Sequence, residues 1–177
     1  MKKSISFWQF IGFIFTSVGG VLLHYLYEWT NESIYVAPFS GINESTWEHM
    51  KLLFIPLFLF AIIEGFIINK PENYWCIKLR GTLTGILLIP FLFYTLNGVF
   101  GKTPDWANIT IFFISAAVVF IYETIMFKRE DIYCISSKIS FCLLVGIFLL
   151  FAVFTFIPPH IPLFKDPLTG KYGFANI

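Results

Sequence analysis

The sequence predicts an all-α integral membrane protein, a bundle of five transmembrane helices. Apolar residues make up 57% of the 177-residue chain and charged residues only 13%, a balance that soluble domains do not have. The apolar residues fall in five runs, each near the length of about 20 residues that spans a bilayer. Such a chain has no room for a large soluble domain besides, so we expect a single transmembrane domain over residues 1–177.

The five runs define the helices in chain order. Pro56 and Pro90 lie inside the second and third runs, where membrane helices tolerate proline because neighbouring groups take up the freed carbonyls. The fifth run ends at Pro158 and Pro159, which cannot continue a helix. The predicted helices span residues 6–27, 50–68, 82–100, 108–127 and 138–157.

The basic residues predict the orientation. The first apolar run is too long for a secretory signal and lacks a cleavage motif, so we expect it to be retained. With the amino terminus in the cytoplasm, eight basic residues fall in cytoplasmic segments and four outside, which satisfies the positive-inside rule. We therefore expect a multi-pass protein of the cell membrane with its carboxyl terminus outside. The cytoplasmic set is Lys2, Lys3, Lys70, Lys78, Arg80, Lys128, Arg129 and Lys138, and the outer set is Lys51, Lys102, Lys165 and Lys171.

Charge and cysteine usage exclude other classes of protein and site. A net charge of +1 gives no sign of nucleic-acid binding. Cys76, Cys134 and Cys142 fall on the predicted cytoplasmic side, where thiols stay reduced, so we expect no disulfide. No CxxC or mixed cysteine and histidine spacing indicates a metal site.

Two segments on the outer side are predicted to cover a polar pocket. The loop over residues 28–49 contains the apolar stretch YVAPFSGI, so we expect a re-entrant or lid segment. The tail over residues 158–177 is rich in proline and turn signals, so we expect it to be non-helical. Its apolar residues favour a position folded back over the outer end of the bundle, which would bring His160 towards helices 1 and 2.

All three histidines lie on this outer side, together with several glutamates. Thr16, Gly20 and His24 are spaced four apart, so His24 is predicted to face the bundle. Glu28 follows His24 by one helical turn. That pair fits either a metal clamp or a hydrogen-bonded or ionic pair at the interface, since histidine is the commonest metal ligand and carboxylates complete such sites.

The stretch NESTWEH leaves a similar choice. Ser45 and Glu48 form the S-x-x-E pattern of a capping box, and Glu44 and Glu48 both favour the positive end of the second helix. These roles explain the acidity but not His49. His49 is predicted either to point into the bundle beside Glu48 or to form an interfacial hydrogen bond.

Two further carboxylates, Glu64 and Glu123, lie about fourteen residues inside helices 2 and 4. Charges at membrane depth usually mark an internal partner or a pathway. Both residues are also within reach of basic side chains near the inner boundary, namely Lys78, Arg80, Lys128 and Arg129. A structural role through such neighbours and a functional role both fit the sequence.

Two resemblances follow from these stretches. GGVLLHYLYEW, VAPFSGINESTWEHMKLLFIP and PPHIPLFKDPLTGKYG resemble a family of small multi-pass bacterial membrane proteins of unknown function, over nearly the whole chain. NESTWEH also resembles a stretch that opens a helix in progestin and adipoQ receptor proteins, relatives of alkaline ceramidases. There the histidine matching His49 binds zinc. Those proteins have seven spans and an HxxxH pair in the last helix, whereas this chain has His160 alone near its end.

The specific hypothesis is a zinc-dependent membrane hydrolase. His24, His49 and His160, with Glu48, would hold the metal and leave a position for water. Glu44 or Glu28 would act as general base in the hydrolysis of a lipid-like or amphiphilic substrate. The alternative is a non-enzymatic small transporter or accessory subunit with a structural histidine and glutamate cluster. The expected surroundings are the lipid bilayer, and the oligomeric state stays open.

Overall fold

A computed structural model of the chain describes residues 2–101, 104–129 and 132–174. Its five helices are long and apolar enough to cross a membrane, and no strand occurs among the described residues. The all-α class with five membrane-length helices is therefore confirmed. Lys102, which entered the charge count, lies outside the described residues. The helices are α1 (Lys2–Trp29), α2 (Thr46–Ile67), α3 (Tyr74–Phe100), α4 (Asp105–Phe127) and α5 (Ser137–Phe156).

The helices alternate in direction and give the bundle two distinct ends. The tail-side end carries the loop between α1 and α2, the short connection between α3 and α4, and the carboxyl-terminal tail. The opposite end carries the starts of α1, α3 and α5. These two names refer to the molecule alone, because the orientation in a membrane stays a prediction.

Helix α2 lies at the centre and packs against the other four helices. Most of its side chains are buried, and Leu53 and Phe54 are fully enclosed. The outward faces of the other helices carry large apolar side chains such as Phe7, Phe91 and Leu149. An apolar exterior of this extent is typical of a surface in contact with lipid.

Small residues let α1 approach its neighbours closely. A methyl group at Gly12 would overlap the rings of Phe60 and Phe120, and one at Gly20 would overlap the ring of Phe112. Thr16, between the two glycines, is fully buried. This face of α1 therefore packs into the bundle, as the spacing of Thr16, Gly20 and His24 indicates.

Helix α3 begins at Tyr74, eight residues before the start expected at residue 82. The extra turns contain Lys78 and Arg80, and their charges lower the hydropathy so that the predicted helix starts after them. Lys78 is instead 2% exposed and lies within the bundle. The helix continues through it because two carboxylates from other helices neutralise the charge.

The expectation of reduced cysteines was wrong for one pair. Cys76, near the start of α3, forms a disulfide with Cys134 in the connection between α4 and α5. Cys142 is free and exposed. Both half-cystines lie at the same end of the bundle. The predicted topology placed them at one end but did not pair them.

The tail-side loop and tail pack against the bundle. In the loop, Ala37 is fully buried and the amide of Gly41 donates to the carbonyl of Leu23 at 3.3 Å. The tail forms a single 3-10 turn, Pro162–Phe164, whose Phe164 ring lies 4.6 Å from the ring of Trp47. The role of the loop as a lid or re-entrant segment stays a prediction.

Candidate functional site

The start of α2 positions His49. Ser45 caps the helix, and its side-chain oxygen accepts a hydrogen bond from the amide of Glu48 at 3.4 Å. The Nδ1 atom of His49 lies 3.0 Å from the carbonyl oxygen of Ser45. Since a carbonyl only accepts, this contact places the proton of a neutral ring on Nδ1 and leaves Nε2 as an acceptor.

His24, Glu44 and His49 meet at the tail-side end. Glu44 lies between the two histidines, with Oε1 3.6 Å from Nε2 of His24 and Oε2 3.5 Å from Nε2 of His49. The imidazole centroids are 6.1 Å apart. All three side chains are partly exposed, from 19% for His49 to 38% for Glu44. They therefore form one accessible cluster, which we call the His–Glu cluster.

Two cavities meet at this cluster. The first, of about 340 Å³, is lined by His24, Glu44 and His49 together with Asn97 and Asn108. The second, of about 160 Å³, lies between α1 and α4 and has an apolar lining that includes Gly20, Val21, Phe112 and Phe113. His24, His49 and Asn108 line both cavities, so a polar mouth is continuous with an apolar cleft.

Glu48 lies away from this cluster. It is 2% exposed, and its carboxylate is 2.5 Å from the ammonium of Lys51 on the next turn of α2. The carboxylate also accepts from the amide of Ile42 at 3.2 Å, whereas the amide of Ser45 donates to Asn43. Only half of the capping box is therefore formed, and the carboxylate that would complete it holds Lys51 instead.

Lys51 completes a second set of contacts inside the bundle. Its ammonium donates to the carbonyl of Ala37 at 2.9 Å and to the hydroxyl of Thr155 at 2.8 Å. A buried ammonium with a carboxylate and two further acceptors is well satisfied. The Glu48 and Lys51 pair thus ties the loop, α2 and α5 together.

The remaining predicted site residues lie outside the cavities. Glu28 is exposed on the last turns of α1. His160 is exposed in the tail, with its ring 4.8 Å from the ring of Tyr172. The structure therefore brings together His24, His49 and Glu44 but not Glu28, Glu48 or His160.

The predicted ligand set does not fit a zinc ion in this arrangement. Within residues 2–101, 104–129 and 132–174, no group of three or more histidine, cysteine, aspartate or glutamate side chains is arranged to hold a metal. Glu48 forms an ion pair with Lys51, and His160 packs edge-on against Tyr172 in the tail. The zinc site stays a prediction, and we route no chemical step through a metal.

A second ionisable cluster lies inside the opposite half of the bundle. The ammonium of Lys78 is 2.6 Å from a carboxylate oxygen of Glu64 and 2.6 Å from one of Glu123. The hydroxyl of Tyr74 lies 3.0 Å from the same oxygen of Glu64 and 2.6 Å from the carbonyl oxygen of Ala61, and it has one proton to donate to either acceptor. The side-chain amide of Gln9 donates to the other oxygen of Glu64 at 2.8 Å. We define the buried ion cluster as Gln9, Glu64, Tyr74, Lys78 and Glu123.

Sequence reasoning found the two carboxylates of this cluster and named Lys78 among four basic residues that could pair with them. Lys78 was assigned to a cytoplasmic segment, and Gln9 and Tyr74 were not singled out. The geometry of the chain could have indicated them. Glu64 and Tyr74 lie on either side of the short connection between α2 and α3. Lys78, one turn further along α3, therefore lies at about the same depth in the bundle as Glu64. All five residues are 2% exposed or less.

Comparison with known proteins identifies the family of the chain. The model of a family of unknown function, DUF6512, matches residues 1–174. The chain belongs to this family. No curated protein and no solved structure matches the chain. The resemblance to progestin and adipoQ receptor proteins therefore rests on the NESTWEH stretch alone.

Proposed function

We propose that this member of DUF6512 is a small transporter that binds an amphiphile with a protonated amine head group at the His–Glu cluster. The observation that carries the proposal is the arrangement of acceptors. In a neutral His49 ring, Nε2 is an acceptor because Nδ1 is engaged with Ser45, and it faces the carboxylate of Glu44. Two acceptors facing each other favour a group between them that is positive and donates hydrogen bonds.

The shape of the cavities supports an amphiphile rather than a water-soluble amine. The apolar cleft between α1 and α4 begins at the same histidines and includes Val21 and Ile109, which are largely exposed on the outer surface of the bundle. A hydrocarbon chain can therefore enter from the lipid side while its head group reaches Glu44. Burial of each methylene in such a cleft contributes about 0.8 kcal/mol.

Single-chain probes of equal length test this proposal. Native mass spectrometry of the purified full chain would count bound dodecylamine, dodecyltrimethylammonium and dodecanoate. We expect dodecylamine to bind best, because it has both the charge and the N–H donors, and dodecanoate to bind worst. Equal binding of the three probes would contradict the proposal.

Glu44→Gln and Glu28→Gln form a matched pair of variants. Both remove one carboxylate from the tail-side end, but only Glu44 lines the cavity. Because Glu44 is 38% exposed, we expect its loss to weaken dodecylamine binding about fivefold to tenfold, less than a buried charge would cause. Glu28→Gln should leave binding unchanged.

The metal-dependent hydrolase is the second candidate, and two distances in the His–Glu cluster favour it. Two ligands on a tetrahedral zinc ion with bonds of about 2.0–2.1 Å are separated by about 3.3–3.4 Å. The separations of Glu44 from His24 and His49, 3.6 and 3.5 Å, are close to this value. Stoichiometric zinc in the native protein, lost in His24→Asn and in His49→Asn, would favour the hydrolase over the transporter.

A further inference from the structure

Three polar hydroxyls in the middle of the bundle have no hydrogen-bond partner. The side-chain oxygens of Thr16, Ser17 and Ser115 are buried and unpaired. Several other helix hydroxyls among the described residues donate to the carbonyl one turn earlier, as Thr84, Thr110 and Ser140 do. A buried hydroxyl without a protein partner is rare, and it offers a hydrogen bond to a water molecule.

These hydroxyls lie at one level of the bundle. Helices α1 and α4 are antiparallel, and Gly12 faces Phe120 whereas Gly20 faces Phe112. A step of eight residues forward along α1 therefore corresponds to a step of eight residues backward along α4. By the same register, Ser17 lies level with Ser115. Thr16 precedes Ser17, so all three hydroxyls belong to this middle level.

The same register places the two ionisable clusters above and below the hydroxyls. Gln9 lies level with Glu123 in the buried ion cluster, and His24 lies level with Asn108 at the tail-side cavities. Gln9, Ser17 and His24 are seven or eight residues apart, which is about two turns, so they share one side of α1. Glu123, Ser115 and Asn108 have the same spacing on α4. The facing helices thus carry three polar levels.

We propose that these three levels form a proton pathway between the buried ion cluster and the His–Glu cluster. With all three ionised, Glu64, Glu123 and Lys78 carry one net negative charge, so one added proton makes the cluster neutral. The groups that face this site are Gln9 from α1, Glu64 from α2, Tyr74 and Lys78 from α3, and Glu123 from α4.

Each step of the pathway conserves protons. The middle level lies about 12 Å from Gln9 and about 10 Å from His24 at 1.5 Å per residue, so about three waters span each gap. Every oxygen in such a chain accepts one proton and releases another. A proton released by a carboxylic acid of the buried ion cluster is thereby replaced by one that arrives at Nε2 of His49 or at Glu44, and none is created or lost.

Aromatic rings separate the levels and would control access. Phe120, packed against Phe60, lies between the buried ion cluster and the hydroxyls. Phe112 lies between the hydroxyls and His24. Side-chain rotation of these rings would admit water, so the pathway conducts intermittently rather than as an open pore. At its other end, Glu64 is three residues from the end of α2, within one turn of the surface.

A proton-flux assay tests the pathway with no amphiphile added. The full chain would be reconstituted into vesicles containing pyranine, with valinomycin and potassium to remove the electrical potential, and proton entry followed after a pH jump. We expect wild-type vesicles to acidify at least tenfold faster than protein-free vesicles. The same rate in both would overturn the pathway, whatever the result with dodecylamine.

Variants separate a pathway from general leakage. Ser115→Ala removes an unpartnered hydroxyl, so we expect unchanged thermal stability with at least a tenfold loss of flux; Thr16→Val should act in the same way. The control is Ser140→Ala, which removes a buried hydroxyl on α5, away from the pathway. Equal flux in Ser115→Ala, Thr16→Val and wild type, or an equal loss in Ser140→Ala, would overturn the proposal.

Discussion

Replacement of Lys78 by methionine removes the one positive charge of the buried ion cluster. The ammonium lies 2.6 Å from each of two carboxylates, and at an effective dielectric constant of about 20 each attraction is worth about 6 kcal/mol before desolvation. Desolvation of the three groups offsets most of this sum. Measured losses on removal of one partner from a buried pair are about 3–5 kcal/mol, and we expect Lys78→Met to lie in this range.

The two carboxylates are not equivalent after this change. Glu64 keeps the hydrogen bond from Gln9 and its contact with the hydroxyl of Tyr74. Glu123 loses Lys78, its polar partner within the described part of the chain. Lys78→Met combined with Glu123→Gln should therefore recover more stability than the combination with Glu64→Gln. The triple variant should approach wild type, because neutral groups of similar shape avoid the desolvation of charge.

Reversible unfolding by SDS in mixed micelles measures these free energies. Lys128→Met is the control, because Lys128 is exposed at the same end of the bundle and is expected to change stability by less than about 0.5 kcal/mol. A loss below about 1 kcal/mol in Lys78→Met would refute the assignment of Lys78 to a buried pair. Equal recovery in the two double variants would refute the difference between the carboxylates.

Two further predictions concern the same end of the bundle. Gly81→Ala should destabilise the protein by about 1–3 kcal/mol in the same SDS titration, because the new methyl group would lie 2.7 Å from Oε1 of Glu123. The control is Gly98→Ala on the same helix, where the methyl group has open space and the change should be neutral or stabilising. Alkylation of denatured protein followed by mass measurement should modify one thiol, Cys142, before reduction and three after it. Three modified thiols before reduction would contradict the disulfide.

Hydropathy was sufficient for the helices because the bilayer fixes their length. It failed at the start of α3, where Lys78 was read as the edge of a loop. Lys78 was one of four basic residues within reach of the two carboxylates, and the sequence does not show that it is the one that lies between Glu64 and Glu123. Pairing between distant segments is the information that one sequence does not contain.

The residues predicted to hold a metal show the same limit of sequence reasoning, because their partners depend on the fold. The cap at Ser45 was readable from local spacing, and with it the place of His49 at the start of α2. The partner of Glu48 was also local, since Lys51 is three residues away, but Lys51 had been counted as an exposed outer charge. The position of His160 depended on the fold of the tail, where its ring lies against Tyr172.

The orientation of the bundle rests on two signals that now oppose each other. The count of basic residues included Lys78 on the cytoplasmic side and Lys51 on the outer side, and both are buried in ion pairs. Without them, the count changes from eight cytoplasmic and four outer residues to seven and three. The predicted direction is therefore unchanged.

The disulfide between Cys76 and Cys134 lies at the end that this count places in the cytoplasm, where thiols are normally kept reduced. An intact disulfide in protein from cells would therefore place that end outside, with the His–Glu cluster facing the cytoplasm. Free thiols would remove the conflict and leave the charge count as the guide. The redox state of this pair thus decides from which side of the membrane the proposed amphiphile reaches Glu44.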